Sequence, residues 1–294
     1  LDNLEVVGND SRYCFYQYDI GDSIAIDELL LRHRPRAVIH FAAESHVDRS
    51  IADAERFIQT NIMGTLRLLE SSRKYWSGLS ARASERFRFV NISTDEVFGS
   101  LTPELPAFCE DSSYQPNSPY SASKAASDHF VRAFYQTYGL PILTTNCSNN
   151  YGPYQFPEKL IPLAIVNAIN NRAIPVFGDG LQVRDWLFVS DHCSAVRKIL
   201  RSGRVGETYN IGDSCEKTNL EVVGTICDLL DLKRPLANHT SYRSLITHVP
   251  DRPGHDRRYA LDASKLKREL EWKAEETFEA GISKTVDWYL EDRS

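Results

Sequence analysis

Short apolar runs alternate with longer amphipathic stretches along the first half of the chain. The apolar runs, which we predict to be strands, are residues 13–18, 37–41, 87–93 and 142–146. The amphipathic stretches repeat apolar side chains every three or four residues, and we predict helices there, at about 23–34, 54–75 and 120–138. Strands that alternate with helices are typical of βαβ units, so this half predicts an α/β fold with a parallel sheet.

Residues that cap or break helices support the predicted helix boundaries. Asp22 or Ser23 can cap the first helix, which Pro35 ends, and Gly139 followed by Pro141 stops the helix that begins at Tyr120.

After about residue 150 the pattern is looser, with turn sequences between shorter elements. Helices are expected at 219–230, 264–270 and 278–290. We expect two interleaved domains. Residues 1–150, with part of 185–215, would form a nucleotide-binding domain, and residues 151–294 would form most of a smaller α/β substrate domain.

Composition narrows the class of protein. Of 294 residues, 42% are hydrophobic and 25% are charged, as in an ordinary globular protein. The net charge of −6 argues against a nucleic-acid partner. The six cysteines show no metal-binding spacing and no apolar run has the length of a membrane span, so we expect a cytoplasmic protein without a metal site and without a membrane partner.

Tyr120 and Lys124 form the first candidate catalytic pair, because a spacing of four puts both on one helix face. A tyrosine acts as a base only after losing a proton, and bringing its pKa from about 10 to about 7 takes roughly 4 kcal/mol. A nearby ammonium such as Lys124 is the right kind of perturbation. Tyr-x-x-x-Lys arises often by chance, and a surface helix start is the alternative.

Thr94, Asp95 and Glu96 directly follow the buried strand at 87–93. Ligands of open α/β sheets bind beyond the carboxyl ends of strands. Thr94 can hydrogen-bond a sugar hydroxyl or ketone, and two carboxyl groups can divide acid and base work if their pKa values differ. The alternative is a helix cap made of Thr or Asp with Glu behind it.

Other strand ends carry further candidates. Small residues after His40 allow close approach of a cofactor, Asp19 can meet a ribose edge, and Asn149 with Asn150 suits a diphosphate or carboxamide. Packing of a βα turn and a plain N-cap are the alternatives for the first two. The arginines of 184–186 and 251–258 can bind phosphate oxygens, although Arg257 and Arg258 can equally be a solvated charge run.

Taken together, these motifs resemble the extended short-chain dehydrogenase/reductase family, and within it the enzymes that dehydrate nucleotide hexoses. The segments that carry the resemblance are HFAAESHVDRS (40–50), ISTDEVFG (92–99), SPYSASKAASDH (118–129), NCSNNYGPYQFPEKLIPL (146–163), RDW (184–186), GETYNIG (206–212) and DRPGHDRRYA (251–260). They span nearly all of the chain from residue 19 onward.

The resemblance implies a Rossmann-like doubly wound sheet and a dehydration cycle. Tyr120 would be the base for oxidising C4 of the sugar, with Lys124 tuning it, and Thr94 would orient the C4 oxygen. Glu96 would remove the C5 proton and Asp95 would protonate the departing C6 hydroxyl. Hydride would return to C6, so that the NAD cofactor is regenerated at each turnover.

The resemblance also implies binding residues and partners. The expected NAD contacts are Asp19, Ile20, Phe41, Ala42, Ala43, Thr60, Tyr120, Lys124 and Asn150. The expected nucleotide-sugar contacts are Ser45, Thr94, Asn149, Lys159, Leu160, Pro175, Phe177, Arg184, Asn219, Asp251, Arg252 and His255. The expected substrate is dTDP-glucose, on a route to rhamnose and other deoxysugars of the lipopolysaccharide O-antigen. A homodimer through the helices at 54–75 and 120–138 is also implied.

The chain departs from the family pattern at its beginning. The family opens with a strand and a glycine-rich G-x-x-G-x-x-G turn that receives the cofactor pyrophosphate, and the 294 residues contain no such motif. We therefore expect the first βαβ portion to be missing from this sequence, which puts NAD binding by the chain as given in question. Phe98 stands where relatives often carry Tyr, a minor difference.

Three other functions compete with this one. A nucleotide-sugar 4-epimerase needs no carboxyl pair, so Asp95 and Glu96 argue against it. A dehydratase for a UDP or GDP sugar stays open, because no residue identifies the base from first principles. A non-catalytic nucleotide-sugar-binding protein would be expected to lose Tyr120, Lys124 or the carboxylates, and all are present.

Overall fold

The computed structural model describes residues 2–237 and 240–291, and within them the chain forms nine strands. The strands are β1 (Ala37–His40), β2 (Arg88–Thr94), β3 (Ile142–Cys147), β4 (Asn149–Tyr151), β5 (Ile174–Phe177), β6 (Val183–Phe188), β7 (Thr208–Ile211), β8 (Glu216–Thr218) and β9 (Ile246–Val249).

Helices connect these strands. The α-helices are α1 (Ser23–His33), α2 (Val47–Ala52), α3 (Ala54–Phe57), α4 (Thr65–Ser77), α5 (Ala81–Ser84), α6 (Pro119–Tyr138), α7 (Leu160–Ile169), α8 (Val189–Ser202), α9 (Asn219–Lys233), α10 (Ser264–Leu270) and α11 (Phe278–Glu291). A π-helical segment, Ile58–Gly64, joins α3 to α4. Short 3₁₀ helices cover Asp2–Val7, Asp95–Phe98 and Tyr242–Leu245.

The main sheet has four parallel strands in the order β1-β2-β3-β7. Strand β7 belongs to this sheet although it lies late in the chain, and it pairs with β3 in the register Asn146↔Asn210. Two small sheets, β4-β6-β8 and β5-β9, lie in the second half. The chain thus crosses between the two halves more than once.

Side chains of the main sheet alternate between two apolar cores. Phe89 packs with α1, α4 and α6 through residues such as Leu69 and Phe134. Val90, the next residue, packs on the other face with α8 and α10 through residues such as Ile199. Both faces are therefore covered by helices, as expected of a doubly wound parallel sheet.

A third core holds the second half together. Tyr151, Trp186 and Phe278 pack there with apolar side chains of α7, α9 and α11. The ring of Tyr151 lies 5.6 Å from that of Phe188 in an edge-to-face arrangement. This core supports the strands β4 and β6, whose ends contribute residues to the candidate site.

Most predicted elements of the first half are confirmed. Asp22 caps α1 by accepting from the Ala25 backbone at 3.1 Å, and Gly139 ends α6 in the left-handed conformation. The helices predicted at 219–230, 264–270 and 278–290 correspond to α9, α10 and α11.

Residues 13–18 do not form the predicted strand. Their backbone pairs with no other strand in the described part of the chain, and a strand needs such a partner. The aromatic side chains that suggested a strand make ring contacts instead. The rings of Tyr16 and Tyr18 stack on each other, and the Tyr16 ring contacts His33 edge-on. The single helix predicted at 54–75 is instead α3, the π-helical segment and α4 in succession.

Candidate active site

One cavity of about 670 Å³ lies at the carboxyl ends of β1, β2 and β3. Parallel strands bring their carboxyl ends to one edge, which is why residues far apart in sequence meet there. The predicted site residues that line it are Phe41, Ala43, Ser45, Thr94, Asp95, Glu96, Tyr120, Lys124, Asn149, Asn150, Lys159, Leu160, Pro175, Phe177, Arg184, Asn219, Arg252 and His255.

Five predicted residues lie outside this lining: Asp19, Ile20, Ala42, Thr60 and Asp251. The Asp19 carboxylate accepts from the Gly21 backbone at 2.6 Å, and Asp251 holds His255 at 2.6 Å. Ile20 packs against Gly64 of the π-helical segment so closely that a Cβ atom at residue 64 would collide with the Ile20 side chain. Their assignment to the cofactor or the substrate stays a prediction.

Tyr120 lies in the first turn of α6. Ser118 and Ser121 form a capping box there, and Pro119 occupies the position where a missing backbone N–H does no harm. The phenol is buried and meets the Phe57 ring edge-on. Burial raises the Tyr120 pKa well above its ordinary value, and the neighbouring Glu96 carboxylate raises it further.

Lys124 follows one turn later on the same helix face and is also buried. Its ammonium donates to the Ile92 carbonyl of β2 at 2.8 Å, and burial lowers its pKa. The lowering of the Tyr120 pKa that we expect from Lys124 together with the positive nicotinamide ring stays a prediction.

Thr94 ends β2 and caps the short helix Asp95–Phe98, because its hydroxyl accepts from the Glu96 backbone at 3.3 Å. The triplet is thus a helix cap and part of the cavity lining at once. The cap fixes where the two carboxyl groups point.

The two carboxyl groups lie in different environments. Asp95 is only 2% exposed, and burial, followed by the charge of Glu96, raises its pKa well above the ordinary value. Burial also raises the Glu96 pKa; Arg184 opposes the effect of burial at both carboxyl groups, and at Glu96 Lys159 and Arg252 oppose it as well. This difference suits Asp95 as a proton donor and Glu96 as a base.

Cationic side chains enter the cavity from the second half of the chain. Lys159 donates to the Ser45 carbonyl at 2.6 Å, and Arg184 lies over the Tyr259 ring at 4.2 Å. Arg252 lies over the Phe177 ring at 4.5 Å. Two guanidinium groups, each lying over an aromatic ring, suit a base attached to a diphosphate.

Arg257 and Arg258, by contrast, do not line the cavity. Arg257 pairs with Asp179 at 2.9 Å, and Arg258 pairs with Glu216 at 2.6 Å. The interpretation of these two arginines as phosphate ligands is not supported, because their guanidinium groups already have carboxylate partners.

Several lining residues were missed from the sequence. Tyr259 donates to Asp256 at 2.5 Å, and Cys147 lies beside Ser93, whose carbonyl accepts from the thiol at 3.3 Å. His192 of α8 also lines the cavity. Asp256 and Tyr259 belong to the DRPGHDRRYA segment and Cys147 to NCSNNYG, so those motifs were the available signal. Nothing in the sequence pointed to His192.

Buried polar atoms in this lining lack a partner within the described residues. They include Asp95 Oδ2, Ser148 Oγ, Asn149 Oδ1, Asn150 Oδ1, Gln155 Oε1, Trp186 Nε1 and His192 Nε2. A buried polar group without a hydrogen bond costs free energy, so native proteins rarely keep one. The cavity therefore fits a polar ligand that supplies those hydrogen bonds.

Metal ligands do not gather in the described part of the chain. No group of three or more His, Cys, Asp or Glu side chains among residues 2–237 and 240–291 is placed to hold a metal ion. Within the same ranges, we find no helix with the length and apolar character needed to span a membrane.

Known proteins are similar to this chain over most of its length. The family model described as GDP-mannose 4,6 dehydratase matches residues 1–285. A dTDP-glucose 4,6-dehydratase of Xanthomonas campestris pv. campestris is 58% identical over 294 residues, which is 100% of this chain and 84% of that protein. The dTDP-glucose 4,6-dehydratase 1 of Escherichia coli K12 is 56% identical over 297 residues, 98% of this chain and 82% of that protein.

A solved structure shows the same likeness. DesIV, a dTDP-glucose 4,6-dehydratase from Streptomyces venezuelae crystallised with NAD and TYD bound, superposes with a TM-score of 0.89 at 43% identity. The match covers 99% of this chain and 84% of that one. The Rossmann-type α/β architecture expected from the resemblance is confirmed.

Proposed function

The chain belongs to the dTDP-glucose 4,6-dehydratase family, and we propose that it converts dTDP-glucose to dTDP-4-keto-6-deoxyglucose and water with NAD as its cofactor. The observation that carries the proposal is the buried carboxyl pair Asp95 and Glu96, held beside Tyr120 and Thr94 in one cavity. Elimination of water needs both an acid and a base, and this pair offers them in separate environments.

The cavity fits the cofactor. Asn150 Oδ1 and His192 Nε2 are buried acceptors or donors without partners among the described residues, and a carboxamide with ribose hydroxyls can satisfy such groups. Tyr120 and Lys124 line the same cavity. When bound, NAD would supply the hydride acceptor for C4, the hydride donor for C6 and a positive ring beside Tyr120.

The residues then have separate tasks. Tyr120 accepts the proton of the C4 hydroxyl as a phenolate, a form that the Lys124 ammonium and the positive ring of bound NAD would favour, and Thr94 holds the C4 oxygen. The C4 ketone makes the C5 proton acidic, so that Glu96 can remove it. Asp95, whose neutral form burial favours, gives its proton to the C6 hydroxyl as that group leaves as water, and Glu96 would return its proton to C5 when hydride returns to C6.

Substrate binding is proposed for the cationic side of the cavity. Arg184 and Arg252 would hold the diphosphate, and the Phe177 ring, which already lies under Arg252, would border the base. We also propose that residues 1–150 with part of 185–215 bind NAD and that 151–294 bind mainly the nucleotide sugar.

We propose that two copies pair through the surface made by 54–75 and 120–138. The proposal is supported by exposed apolar area, since Ile58 is 46% and Phe130 is 40% exposed on these elements.

A cytoplasmic location is proposed as well, because all six cysteines are free thiols.

The alternatives to a dTDP sugar are a UDP sugar and a GDP sugar. The matching family model is described by a GDP sugar, whereas the relatives at 58% and 56% identity are named for the dTDP sugar. Identity over nearly the whole chain favours the dTDP sugar. A 4-epimerase is disfavoured because it has no use for a buried carboxylic acid at Asp95.

The test is an incubation of the protein with dTDP-glucose and NAD, followed by alkali, which develops the chromophore of a 4-keto-6-deoxy sugar. Parallel reactions contain UDP-glucose, GDP-mannose or no sugar. We expect the chromophore with dTDP-glucose at a rate well above the others. A product with the GDP or UDP sugar alone would replace the assignment of substrate, and no product with any sugar would reject the dehydratase function.

A further inference from the structure

Asp128 is a buried carboxyl group that the proposed chemistry does not use. It lies on α6, four residues after Lys124 and eight after Tyr120, so the three side chains share one helix face. Only 5% of Asp128 is exposed. A carboxyl group in such a place needs hydrogen bonds and an opposite charge, and the structure provides both.

The Asp128 carboxylate accepts three hydrogen bonds. Asn91 Nδ2 donates to Oδ1 at 2.7 Å, while the Ser93 hydroxyl at 2.5 Å and the Tyr114 hydroxyl at 3.1 Å donate to Oδ2. Asn91 and Ser93 alternate along β2, the strand that ends at Thr94. The carboxylate therefore ties the helix that carries the base to the strand that carries the triplet.

A second connection runs through Asn146 of β3. Its amide donates to the Thr94 carbonyl at 3.1 Å and to the Tyr114 hydroxyl at 3.4 Å. Tyr114 in turn donates to Asp128. The end of β2 is thus hydrogen-bonded both to α6, through Asp128, and to β3, through Asn146, and Tyr114 links these two side chains.

Burial raises the Asp128 pKa, while the charge of Lys124 and the three hydrogen bonds oppose that effect and favour the carboxylate. The other titratable groups around Lys124 are His40 of β1 and Cys147 of β3, together with Tyr120 on its own helix. Burial lowers the Lys124 pKa, and the charge of Asp128 is the strongest influence that raises it again. His40 is driven toward its neutral form, with a pKa lowered to about 3 by burial and by Lys124.

We infer that Asp128 is a positioning residue, which supplies the negative charge that keeps the buried Lys124 an ammonium and fixes α6 against the end of β2. It touches neither of the two expected ligands, because it does not line the cavity. This inference rests on the proposed function, in which a charged Lys124 is needed beside Tyr120.

The experiment compares Asp128→Asn with a matched variant, Tyr114→Phe. Asp128→Asn removes the charge and keeps the shape. Tyr114→Phe removes one hydrogen bond to the same carboxylate, keeps the charge, and preserves the ring that packs on Phe98. For both variants and the parent, kcat and kcat/KM for dTDP-glucose are measured between about pH 6 and pH 10, the range in which lysine and tyrosine ionise.

Loss of the charge should make Lys124 lose its proton at lower pH. In Asp128→Asn we expect the alkaline fall of kcat to begin at lower pH, with kcat reduced about tenfold or more at the alkaline end. Tyr114→Phe should keep the parent profile within about twofold. NAD affinity can be followed by quenching of tryptophan fluorescence. As the pH is raised, the loss of NAD affinity should begin at a lower pH in Asp128→Asn than in the parent, and Tyr114→Phe should behave as the parent does.

The outcomes separate this inference from the proposed function. A parent protein without activity on dTDP-glucose rejects the function. An active parent with an unshifted Asp128→Asn profile overturns the inference alone, even if the variant melts at lower temperature. If Asp128→Asn does not fold, Asp128→Ser removes the same charge and should show the same shift. If neither variant folds while Tyr114→Phe does, Asp128 is only structural and the inference fails.

Discussion

The Thr94 hydroxyl donates a hydrogen bond to Asp95 Oδ1 at 3.2 Å, and the other oxygen of that carboxyl, Oδ2, is buried without a partner among the described residues. The residue proposed to orient the C4 oxygen is thus connected directly to the residue proposed as the acid. One carboxyl oxygen is held in place and the other remains available to a ligand.

The first prediction concerns this carboxyl pair. In Asp95→Asn/Glu96→Gln, Tyr120 is intact, so C4 oxidation should proceed while loss of water is blocked. We expect enzyme-bound NADH to accumulate, seen as absorbance near 340 nm, and formation of the 4-keto-6-deoxy product to fall by roughly 10²-fold or more. Product release at the parent rate would show that these carboxyl groups are not the acid and base.

A second prediction follows from the raised pKa of Asp95. Because the pKa is higher in the folded than in the unfolded protein, its contribution to stability is full below the unfolded pKa and is lost as the pH rises through the folded pKa. The amide side chain introduced in Asp95→Asn cannot ionise. The melting temperature of the variant minus that of the parent should therefore increase between about pH 4 and neutral pH, by about 2 °C or more.

Glu96→Gln is the matched comparison for that measurement. The Glu96 pKa is also raised by burial, but Lys159 and Arg252 favour its charged form in addition to Arg184, which acts on both carboxyl groups. Its melting difference should therefore grow less with pH than that of Asp95→Asn. The reverse order would show that Glu96, not Asp95, is the protonated member of the pair.

The third prediction tests Tyr120. Tyr120→Phe keeps the ring that packs on Phe57 and removes the hydroxyl. Turnover should fall by about 10²- to 10⁴-fold, the usual contribution of a general base, while dTDP-glucose still binds. Titration calorimetry with dTDP-glucose checks the binding. Turnover close to that of the parent would reject Tyr120 as the base.

The sequence predicted much of this site because of the parallel sheet. Residues that follow β1, β2 and β3 meet at one edge, so Phe41, Thr94 and Asn149 could be placed together from strand assignments alone. The start of α6 was equally clear, since Ser118 and Pro119 are strong helix-start signals.

Side-chain orientation and distant loops could not be predicted in this way. Spacing put Lys124 on the face of Tyr120, but only the fold shows that its ammonium points to the Ile92 carbonyl. Tyr259 reaches the cavity from a loop whose position depends on tertiary packing. The failure at residues 13–18 has the same origin, because a strand depends on a neighbour that local composition does not reveal.

The fourth prediction concerns association. Phe130→Glu places a charge on the exposed apolar surface of α6, and we expect the mass measured by light scattering to fall from two chains to one. Leu232→Glu is the control, because Leu232 is 79% exposed on α9, away from this surface, and should leave the mass unchanged. A parent protein with the mass of one chain, or a Phe130→Glu variant with the parent mass, would contradict the proposed interface.

The last prediction concerns Gly99, which ends the short helix that carries Asp95 and Glu96. Its φ of 85° lies in a region that residues with a side chain rarely adopt, and a Cβ there would collide with the Gln115 carbonyl. Gly99→Ala should therefore lower the free energy of unfolding by about 1–3 kcal/mol. Gly78→Ala is a suitable control, because Gly78 has a φ of −87° and the new Cβ would lie 3.5 Å from the Tyr75 carbonyl oxygen, an ordinary contact. Urea denaturation measures both, and an equally small effect in the two variants would show that the backbone at residue 99 relaxes without strain.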